Sequence, residues 1–186
     1  MNLMPWEPPG LILTGQFIVE IKGAHDRPVS ALPLLYVASV AHSADRHFYI
    51  GGAACLCSPL EADEFLRPFD LKKFLDQLVI PFLYGQLYFD LCSHWPWADY
   101  AHGATGVLEA YARIQNPTKA GECVTEISQD FIWPRIKAAL VAKSPLKGHS
   151  LCFCGKRNHV RRCHPEAWQG FRRLYEDLKA NNVHLG

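Results

Sequence analysis

The stretch RHFYIGGAACLCSP, residues 46–59, decides which fold the chain is expected to adopt. Its first half is a short β-prone run that ends at the glycine pair Gly51-Gly52, a common turn signal. Its second half leads through two alanines to Cys55. We therefore predict sheet elements joined by a turn, with a cysteine placed directly after them.

Two apolar, partly β-branched runs precede this stretch and predict strands. Residues 11–21 (LILTGQFIVEI) are followed by a Gly, His, Asp and Pro break at residues 23–28. Residues 32–40 (LPLLYVASV) end shortly before a polar stretch at residues 42–46. The runs predict strands of a small sheet.

Helical periodicity dominates the chain beyond residue 70. Apolar side chains recur at helical spacing between residues 70 and 92, where Asp70 suits an N-cap and Pro81 either kinks one helix or starts a second. Residues 104–114 and 127–142 predict further helices, with a loop of sequence NPTKAG between them. The expected fold class is α+β, a short antiparallel sheet packed by helices.

The composition is that of a globular protein with one sizeable core. The 186 residues are 49% hydrophobic and 20% charged. The apolar stretches fall far short of the roughly 20 residues that a bilayer-spanning helix needs, and the N-terminus lacks the basic residues that open a secretory signal. We expect a cytoplasmic protein with no membrane partner.

Charge is distributed unevenly along the chain. Residues 1–142 hold 10 Lys and Arg against 15 Asp and Glu, whereas residues 143–186 hold 9 against 3. A linker-like segment, SPLKGHS, opens the basic part, and residues 165–182 repeat apolar side chains with a helical period. We therefore predict a domain at residues 1–142 and a small tail at residues 147–186 that ends in a helix.

The basic tail contains a compact cluster of metal-binding residue types. Cys152 and Cys154 are followed, after eight residues, by Cys163 and His164. Seven cysteines, an odd number, and no secretion signal favour reduced thiols over disulfides. Four such ligands complete a tetrahedral zinc shell and leave no position for a substrate, so we predict a closed, structural zinc site. His159, in the middle of the loop, is expected to be solvated.

This cluster resembles the SEC-C zinc motif, in which C-x-C-G precedes several basic residues and then C-C or C-H. Gly155 matches the motif, whereas Lys156 and Arg157 replace its usual Ser-Gly. The resemblance implies a module that mainly contacts other proteins. The positive charge of the tail also allows contact with a nucleic-acid backbone, and a structural staple with a solvated basic face is a third interpretation.

Cys55 is the candidate nucleophile of the core. Cysteine acyl transfer needs an exposed thiol with thiolate character and hydrogen-bond donors for the oxyanion, and backbone amides after a glycine turn can supply those donors. His47, eight residues upstream, could donate a hydrogen bond, act as a base or only brace the loop. Cys57 is a rival thiol, and His102 is the alternative base. In the structural alternative, Cys55 is an ordinary buried residue.

The core stretch resembles the active-site segment of ubiquitin-conjugating enzymes, because Gly52, Cys55 and Leu56 keep the G-x-x-C-L spacing of that family. Cys57 does not satisfy this spacing. The family's His-Pro-Asn triplet is absent, and His47 stands where the family usually has an Asn. The strands before the segment are also fewer than the family typically has.

More closely, the chain resembles bacterial relatives of that family that carry a SEC-C tail. The matching features are Gly15 and Phe17, Leu32-Pro33, His47, Gly52, Cys55-Leu56, Ser58-Pro59, Pro81-Phe82-Leu83-Tyr84, Trp95-Pro96-Trp97, His102-Gly103 and Gly106. Taken without the resemblance, the Trp-Pro-Trp turn is expected to cap the core.

The resemblance implies a ubiquitin-conjugating type of fold and a thioester function. Cys55 would accept the C-terminus of a ubiquitin-like modifier or another protein from an activating enzyme and pass it to an amine, in bacteria often within antiphage defence operons. Zinc would be structural only. The alternative is a catalytically silent binding module whose groove holds a protein C-terminal tail, with the basic zinc tail as a second contact. A third hypothesis makes the tail a zinc-dependent nucleic-acid or ribosome contact.

Overall fold

The computed structural model describes residues 10, 12–23, 32–66, 68–97 and 101–181 of the chain. The chain divides into two compact units, Met1–Asp99 and Tyr100–Gly186. This division falls earlier than the predicted boundary between residues 142 and 147, because the helix at residues 104–114 packs along the C-terminal helix. The combination of helices with an antiparallel sheet agrees with the α+β class.

The first unit contains a small antiparallel sheet. Strand β1 (Val19–Lys22) pairs with strand β2 (Leu34–Val37), with Val19 opposite Val37. A single bridge between Tyr36 and Ala53 extends this pairing from β2 to the 46–59 stretch, and a second bridge, between Phe48 and Ala54, lies within that stretch. The β2 side chains alternate between half-buried and buried, whereas β1 is exposed along its whole length.

Only the end of the first predicted strand is a strand in the structure. Residues 12–18 have no regular secondary structure, and residues 11 and 24–28 lie outside the described residues. The chain passes close to a later helix at Gly15, where a Cβ would lie 2.6 Å from the Leu87 Cδ2 atom, so that the end of this side chain would have to shift for a larger residue. Residues 12–18 thus include a residue that packs against a helix, and they do not form a regular strand.

The predicted helical segment at residues 70–92 is confirmed. After helix α1 (Asp63–Leu66), α2 (Leu71–Phe74) is capped by Asp70, whose carboxylate accepts the Lys73 N–H at 3.1 Å. A π-helical turn (Leu75–Val79) leads directly into α3 (Ile80–Cys92).

The π turn explains how the segment accommodates Pro81. Ile80 N–H donates to the Leu75 carbonyl, five residues earlier, so the hydrogen-bond register changes just before the proline. Pro81 has no N–H and disturbs an ordinary α-helical interior. Here it stands in the first turn of α3 and starts a second α-helical segment.

The core of the first unit lies where β2 meets α2 and α3. Its buried apolar cluster consists of Leu35, Val37, Phe48, Ala54, Phe65, Phe74, Leu78, Val79 and Phe82. Trp95 packs against this cluster, and a Cβ at Gly85 of α3 would lie 1.9 Å from the Trp95 ring. The Trp-Pro-Trp turn therefore covers the core, as expected from its composition.

The described part of the second unit is helical, and only some of its helices follow the sequence prediction. Its α-helices are α4 (Ala104–Ile114), α5 (Ala120–Ile127), α6 (Trp133–Leu140), α7 (Val160–Cys163) and α8 (Pro165–Ala180). Helix α4 has the predicted bounds. Helix α8 confirms the predicted terminal helix as far as Ala180; residue 182 lies outside the described residues.

The prediction of a single helix at residues 127–142 is wrong. Helix α5 begins inside the predicted NPTKAG loop and ends at Ile127, and α6 begins at Trp133. Asp130 accounts for the break, because its carboxylate accepts the N–H groups of Ala104 at 2.7 Å and Ile132 at 2.9 Å. Pro134, in the first turn of α6, suits the start of a helix.

Helix α8 packs closely along α4. At Gly170 a Cβ would lie 1.8 Å from the Leu108 carbonyl oxygen, so this approach requires glycine. Tyr111 donates its hydroxyl hydrogen bond to Asp177 at 2.6 Å. The core of the second unit therefore includes residues on both sides of the predicted domain boundary.

The segment predicted to be a linker lies against α8. Trp168 Nε1 donates to the Leu146 carbonyl at 3.2 Å, and the Tyr175 hydroxyl donates to the Ala142 carbonyl at 3.0 Å. Packing by large aromatic side chains from α8 thus holds a stretch whose small and polar residues suggested a free linker.

Candidate functional site

The four predicted metal ligands lie together. One ligand atom from each of Cys152, Cys154, Cys163 and His164 lies within 4.8 Å of the others. The sulfur atoms of Cys154 and Cys163 are 3.6 Å apart, and two sulfurs bound tetrahedrally to zinc at about 2.3 Å are separated by about 3.8 Å. The cluster could therefore hold one metal ion.

Local backbone structure assembles this cluster. Leu151 pairs with His159 in a single antiparallel bridge, and Cys152 N–H donates to the Asn158 carbonyl at 2.9 Å. Gly155 has a φ of +88°, which favours glycine directly after the second cysteine. The bridge closes the loop, and α7 then carries Cys163 to the thiols at the start of the loop.

The protonation states of the ligands respond to burial and to neighbouring groups. Burial raises the pKa of Cys152 to about 12. Burial also opposes ionisation of Cys154, but hydrogen bonds from the Lys156 backbone N–H and from the other thiols outweigh it and lower the pKa of Cys154. Burial, followed by the charge of Lys156, lowers the pKa of His164. The imidazole is thereby favoured in the neutral form that binds metals.

Two side chains outside the tail lie beside residues 151–164, which carry the four candidate ligands and are called the metal loop below. Glu109 of α4 is 8% exposed, and its Oε1 atom lies 3.9 Å from His164 Nδ1. Arg135 of α6 donates from Nη1 to the Phe153 carbonyl at 3.3 Å. The sequence prediction missed both residues. The available signal for Glu109 was an acidic residue within a mostly apolar helical run, and the sequence contained no comparable signal for Arg135.

Cys55 is half-buried and follows a hairpin. The chain turns at residues 49–52, where Gly52 N–H donates to the Tyr49 carbonyl at 2.8 Å and Gly52 has a φ of +78°. Cys55 N–H then donates to the His47 carbonyl at 2.7 Å. The turn predicted from the glycine pair is confirmed, and the backbone of Cys55 lies opposite that of His47.

The His47 ring contacts Trp95. The two rings meet edge to face with their centroids 4.8 Å apart, and His47 has a left-handed backbone with a φ of 57°. The structure thus brings His47 and Cys55 together through their backbones. Ring packing on Trp95 favours the bracing role among those considered for His47.

The loop before Cys55 is attached to α3. Fully buried Gln86 donates from Nε2 to the Arg46 carbonyl at 2.9 Å and accepts a hydrogen bond from the Arg46 guanidinium at 3.2 Å. Arg46 also forms an ion pair with Asp90, and Trp95 Nε1 donates to the Asp45 carbonyl at 2.8 Å. Sequence analysis did not single out these anchors, apart from the Trp-Pro-Trp turn.

The rival thiol, Cys57, packs against the core of the first unit. Burial, followed by the negative charges of Glu61, Cys55 and Glu64, raises the pKa of Cys57 well above its ordinary value. Cys57 is therefore protonated at neutral pH and a weak nucleophile. The alternative base, His102, lies just before α4 in the second unit, where its carbonyl accepts the Thr105 hydroxyl at 3.0 Å.

Comparison of the chain with protein-family models, with curated proteins and with solved structures found no match. Among the described residues, no helix has the length and apolar character needed to cross a bilayer. Function is therefore inferred from the geometry of the metal cluster and of the Cys55 hairpin.

Proposed function

We propose that the chain is a cysteine acyl carrier of the ubiquitin-conjugating type whose second unit is stabilised by a structural zinc ion. The observation that supports the acyl-carrier function is the contrast between two neighbouring thiols. Both thiols are half-buried, but Cys55 follows an anchored hairpin, whereas Cys57 packs against the core and burial raises its pKa. This contrast supports Cys55 as the proposed nucleophile.

In the proposed reaction, the Cys55 thiolate attacks the carbonyl carbon of a modifier's C-terminal thioester on an activating enzyme. A new thioester forms on Cys55, and the thiol of the activating enzyme is released. An acceptor amine then attacks the Cys55 thioester, an amide forms, and Cys55 is regenerated as a thiol. The proposed partners are thus a ubiquitin-like modifier or protein C-terminus and an activating enzyme, in the cytoplasm, with antiphage defence as the proposed setting.

The proposed metal is zinc, held by Cys152, Cys154, Cys163 and His164. Three thiolates and an imidazole are a common structural zinc shell, and four protein ligands leave no open position. The short spacing and the 3.6 Å sulfur separation suit this geometry. The metal would add folding free energy to a loop with little apolar core, and the acyl transfer would not use it.

The acyl-carrier proposal is tested by trapping the intermediate in the native host. Tagged wild-type, Cys55→Ser and Cys57→Ser proteins are compared on non-reducing denaturing gels, followed by mass spectrometry of any adduct. We expect a thiol-sensitive adduct on the wild type and on Cys57→Ser, and a thiol-resistant oxyester on Cys55→Ser. An adduct that persists unchanged in Cys55→Ser and disappears in Cys57→Ser would contradict the assignment.

A second candidate function is a catalytically silent binding module that uses the same fold. The contact of the His47 ring with Trp95 favours it, because a ring packed in this way supports the hairpin. In this case Cys55→Ala leaves partner binding unchanged, and no variant forms a covalent adduct.

A further inference from the structure

A concave surface of about 430 Å³ adjoins the metal loop of the second unit. Its apolar part includes Ala139 of α6, Leu146, Leu151 and Phe153. Leu151 is 67% exposed, so a large aliphatic side chain is presented to solvent inside a concave surface. Burial of such a side chain by a ligand is favourable.

The same surface has a cationic rim. Arg135, Lys156 and Arg157 line it and are exposed. Within the described ranges of the chain, none of the three forms an ion pair with a carboxylate. A zinc ion with three thiolates and a neutral imidazole would carry a net charge of about −1, which offsets only one of these cations. The rim therefore remains positively charged when metal is bound.

We infer that this surface binds the free C-terminal carboxylate of a polypeptide whose last residue is aliphatic. A terminal carboxylate and the last side chain branch from the same Cα, so one residue presents an anion and an apolar group side by side. The guanidinium groups of Arg135 and Arg157 suit carboxylate binding. The aliphatic side chain would cover the apolar part of the surface.

Other anions match the surface less well. An internal Asp or Glu side chain carries only a short methylene stem and leaves the apolar part uncovered. Single-stranded nucleic acid is usually held by exposed aromatic rings on which bases stack, and the aromatic residue that lines this surface, Phe153, is 5% exposed. Charge and apolar lining together favour a peptide terminus.

This inference rests on the proposed metal site, because the metal loop supplies Cys152, Phe153, Gly155, Lys156 and Arg157 to the surface. It does not depend on Cys55 chemistry. Metal removal is therefore expected to abolish peptide binding, whereas Cys55→Ser is expected to leave it unchanged.

The test measures fluorescence polarisation of short fluorescein-labelled peptides with the full-length, metal-analysed protein. One peptide ends in Ala-Leu with a free carboxylate, its matched control has the same sequence with a C-terminal amide, and a third ends in Asp amide. We expect the free acid to bind at least about tenfold more tightly than either amide, since hydrogen bonds to a charged group are the strong ones. This comparison uses the wild-type protein and requires no variant to fold.

Variants then locate the binding surface. Two variants are expected to weaken binding of the free acid at least about tenfold each. They are the double variant Lys156→Ala/Arg157→Ala and the single variant Leu151→Ser. Arg162→Ala is the matched control, because Arg162 lies in α7, close to Lys156 and Arg157 in sequence, and does not line the surface. Each protein is assayed for metal content, so that loss of the loop structure is recognised.

Three results would overturn the inference. Equal binding of the free acid and the amide excludes carboxylate recognition. Full affinity in both the Lys156/Arg157 and the Leu151 variants excludes this surface. Displacement of the peptide by a short RNA at about 0.05 M salt, with the RNA bound more tightly than the peptide, indicates a nucleic-acid site instead.

Metal analysis separates failure of this inference from failure of the proposed metal centre. If metal is retained and the peptide does not bind, this inference fails while the proposed metal centre stands. If no metal is retained, both fail.

Discussion

The Glu109 carboxylate lies 3.9 Å from Nδ1 of His164, across the interface between α4 and the metal loop. Its second oxygen accepts the Ala101 N–H at 2.7 Å, which helps to hold the carboxylate in place. Histidines that bind metals commonly donate their other ring N–H to a carboxylate, which fixes the tautomer and the ring orientation. Glu109 therefore lies where a small movement would let it accept a hydrogen bond from Nδ1–H when Nε2 of His164 binds a metal.

We predict that Glu109→Gln lowers the affinity for zinc by about 10–100-fold, the usual cost of losing such a carboxylate. The substitution keeps an oxygen for the Ala101 N–H and removes the charge beside His164. Competition with a chromophoric chelator measures the affinity. Glu122→Gln, at a half-buried ion pair of α5 with Lys119, is the control and should leave the affinity unchanged. Equal affinities for the wild type and Glu109→Gln would show that the carboxylate does not orient His164.

A second prediction concerns metal removal. The purified protein is expected to carry one zinc ion per chain, and a chelator or Cys163→Ser should remove it and destabilise the second unit. Structural zinc contributes apparent binding free energies of about 10–16 kcal/mol in small domains, so the loss should be evident in thermal unfolding. Elemental analysis gives the metal content. Cys92→Ser, in α3 of the first unit, should retain the metal, and a metal-free protein with unchanged unfolding would contradict the structural role.

A third prediction follows from the two thiols of the hairpin. Iodoacetamide at neutral pH should modify half-buried Cys55 much faster than Cys57. The raised pKa of Cys57 keeps it protonated as the pH increases through the ordinary thiol range, and each unit of pKa lowers the thiolate fraction about tenfold. Modification of Cys57 should therefore become appreciable only at a higher pH than that of an ordinary thiol. Peptide mapping by mass spectrometry measures both rates, and comparable rates at neutral pH would remove the basis for choosing Cys55.

A fourth prediction tests the anchor of the hairpin loop. Gln86→Leu should destabilise the first unit by about 1–3 kcal/mol, because the Arg46 carbonyl loses its buried donor. Gln77→Leu, at an exposed position of the π turn, should change the free energy of unfolding by less than about 0.5 kcal/mol. Urea unfolding compares the two variants. Similar effects of both substitutions would mean that Gln86 does not anchor the loop.

A fifth prediction concerns the contact between α4 and α8. Gly170→Ala should destabilise the second unit by about 1–3 kcal/mol or more, since its Cβ would overlap the Leu108 carbonyl oxygen. Gly121→Ala in α5 has open space around its Cβ, and it should be neutral or stabilising by up to about 1 kcal/mol. Thermal unfolding distinguishes the two outcomes. A neutral Gly170→Ala would show that the helices are less closely packed than in the structure.

Local sequence patterns predicted the elements whose structure depends on near neighbours. Helix α4 has the bounds expected from its periodicity, Asp70 caps α2, and the glycine pair gives the hairpin turn. The long helix predicted at residues 127–142 failed for a nonlocal reason. Asp130 uses its carboxylate to cap a helix that begins 26 residues earlier, and no local pattern contains that contact.

The two candidate sites show the same contrast between local features, which the sequence predicted, and contacts with distant residues, which it did not. The cluster of four candidate metal ligands was predicted from spacing alone, because a short loop can bring four such side chains together whatever the rest of the chain does. The groups that surround them, Glu109 and Arg135, come from other helices and were not found. At the hairpin, Cys55 was proposed as the nucleophile from its glycine spacing, whereas the attachment of the loop through Gln86 was not predicted.

The sequence by itself determined the α+β class, the hairpin turn, the identity of the four candidate metal ligands and the choice of Cys55 as candidate nucleophile. These depend on backbone preferences and ligand chemistry that act over a few residues. Only the tertiary structure decided where the chain divides, which thiol is held protonated, and which distant side chains support each site. These depend on burial and on contacts between elements, and side-chain packing specifies them only after the chain has folded.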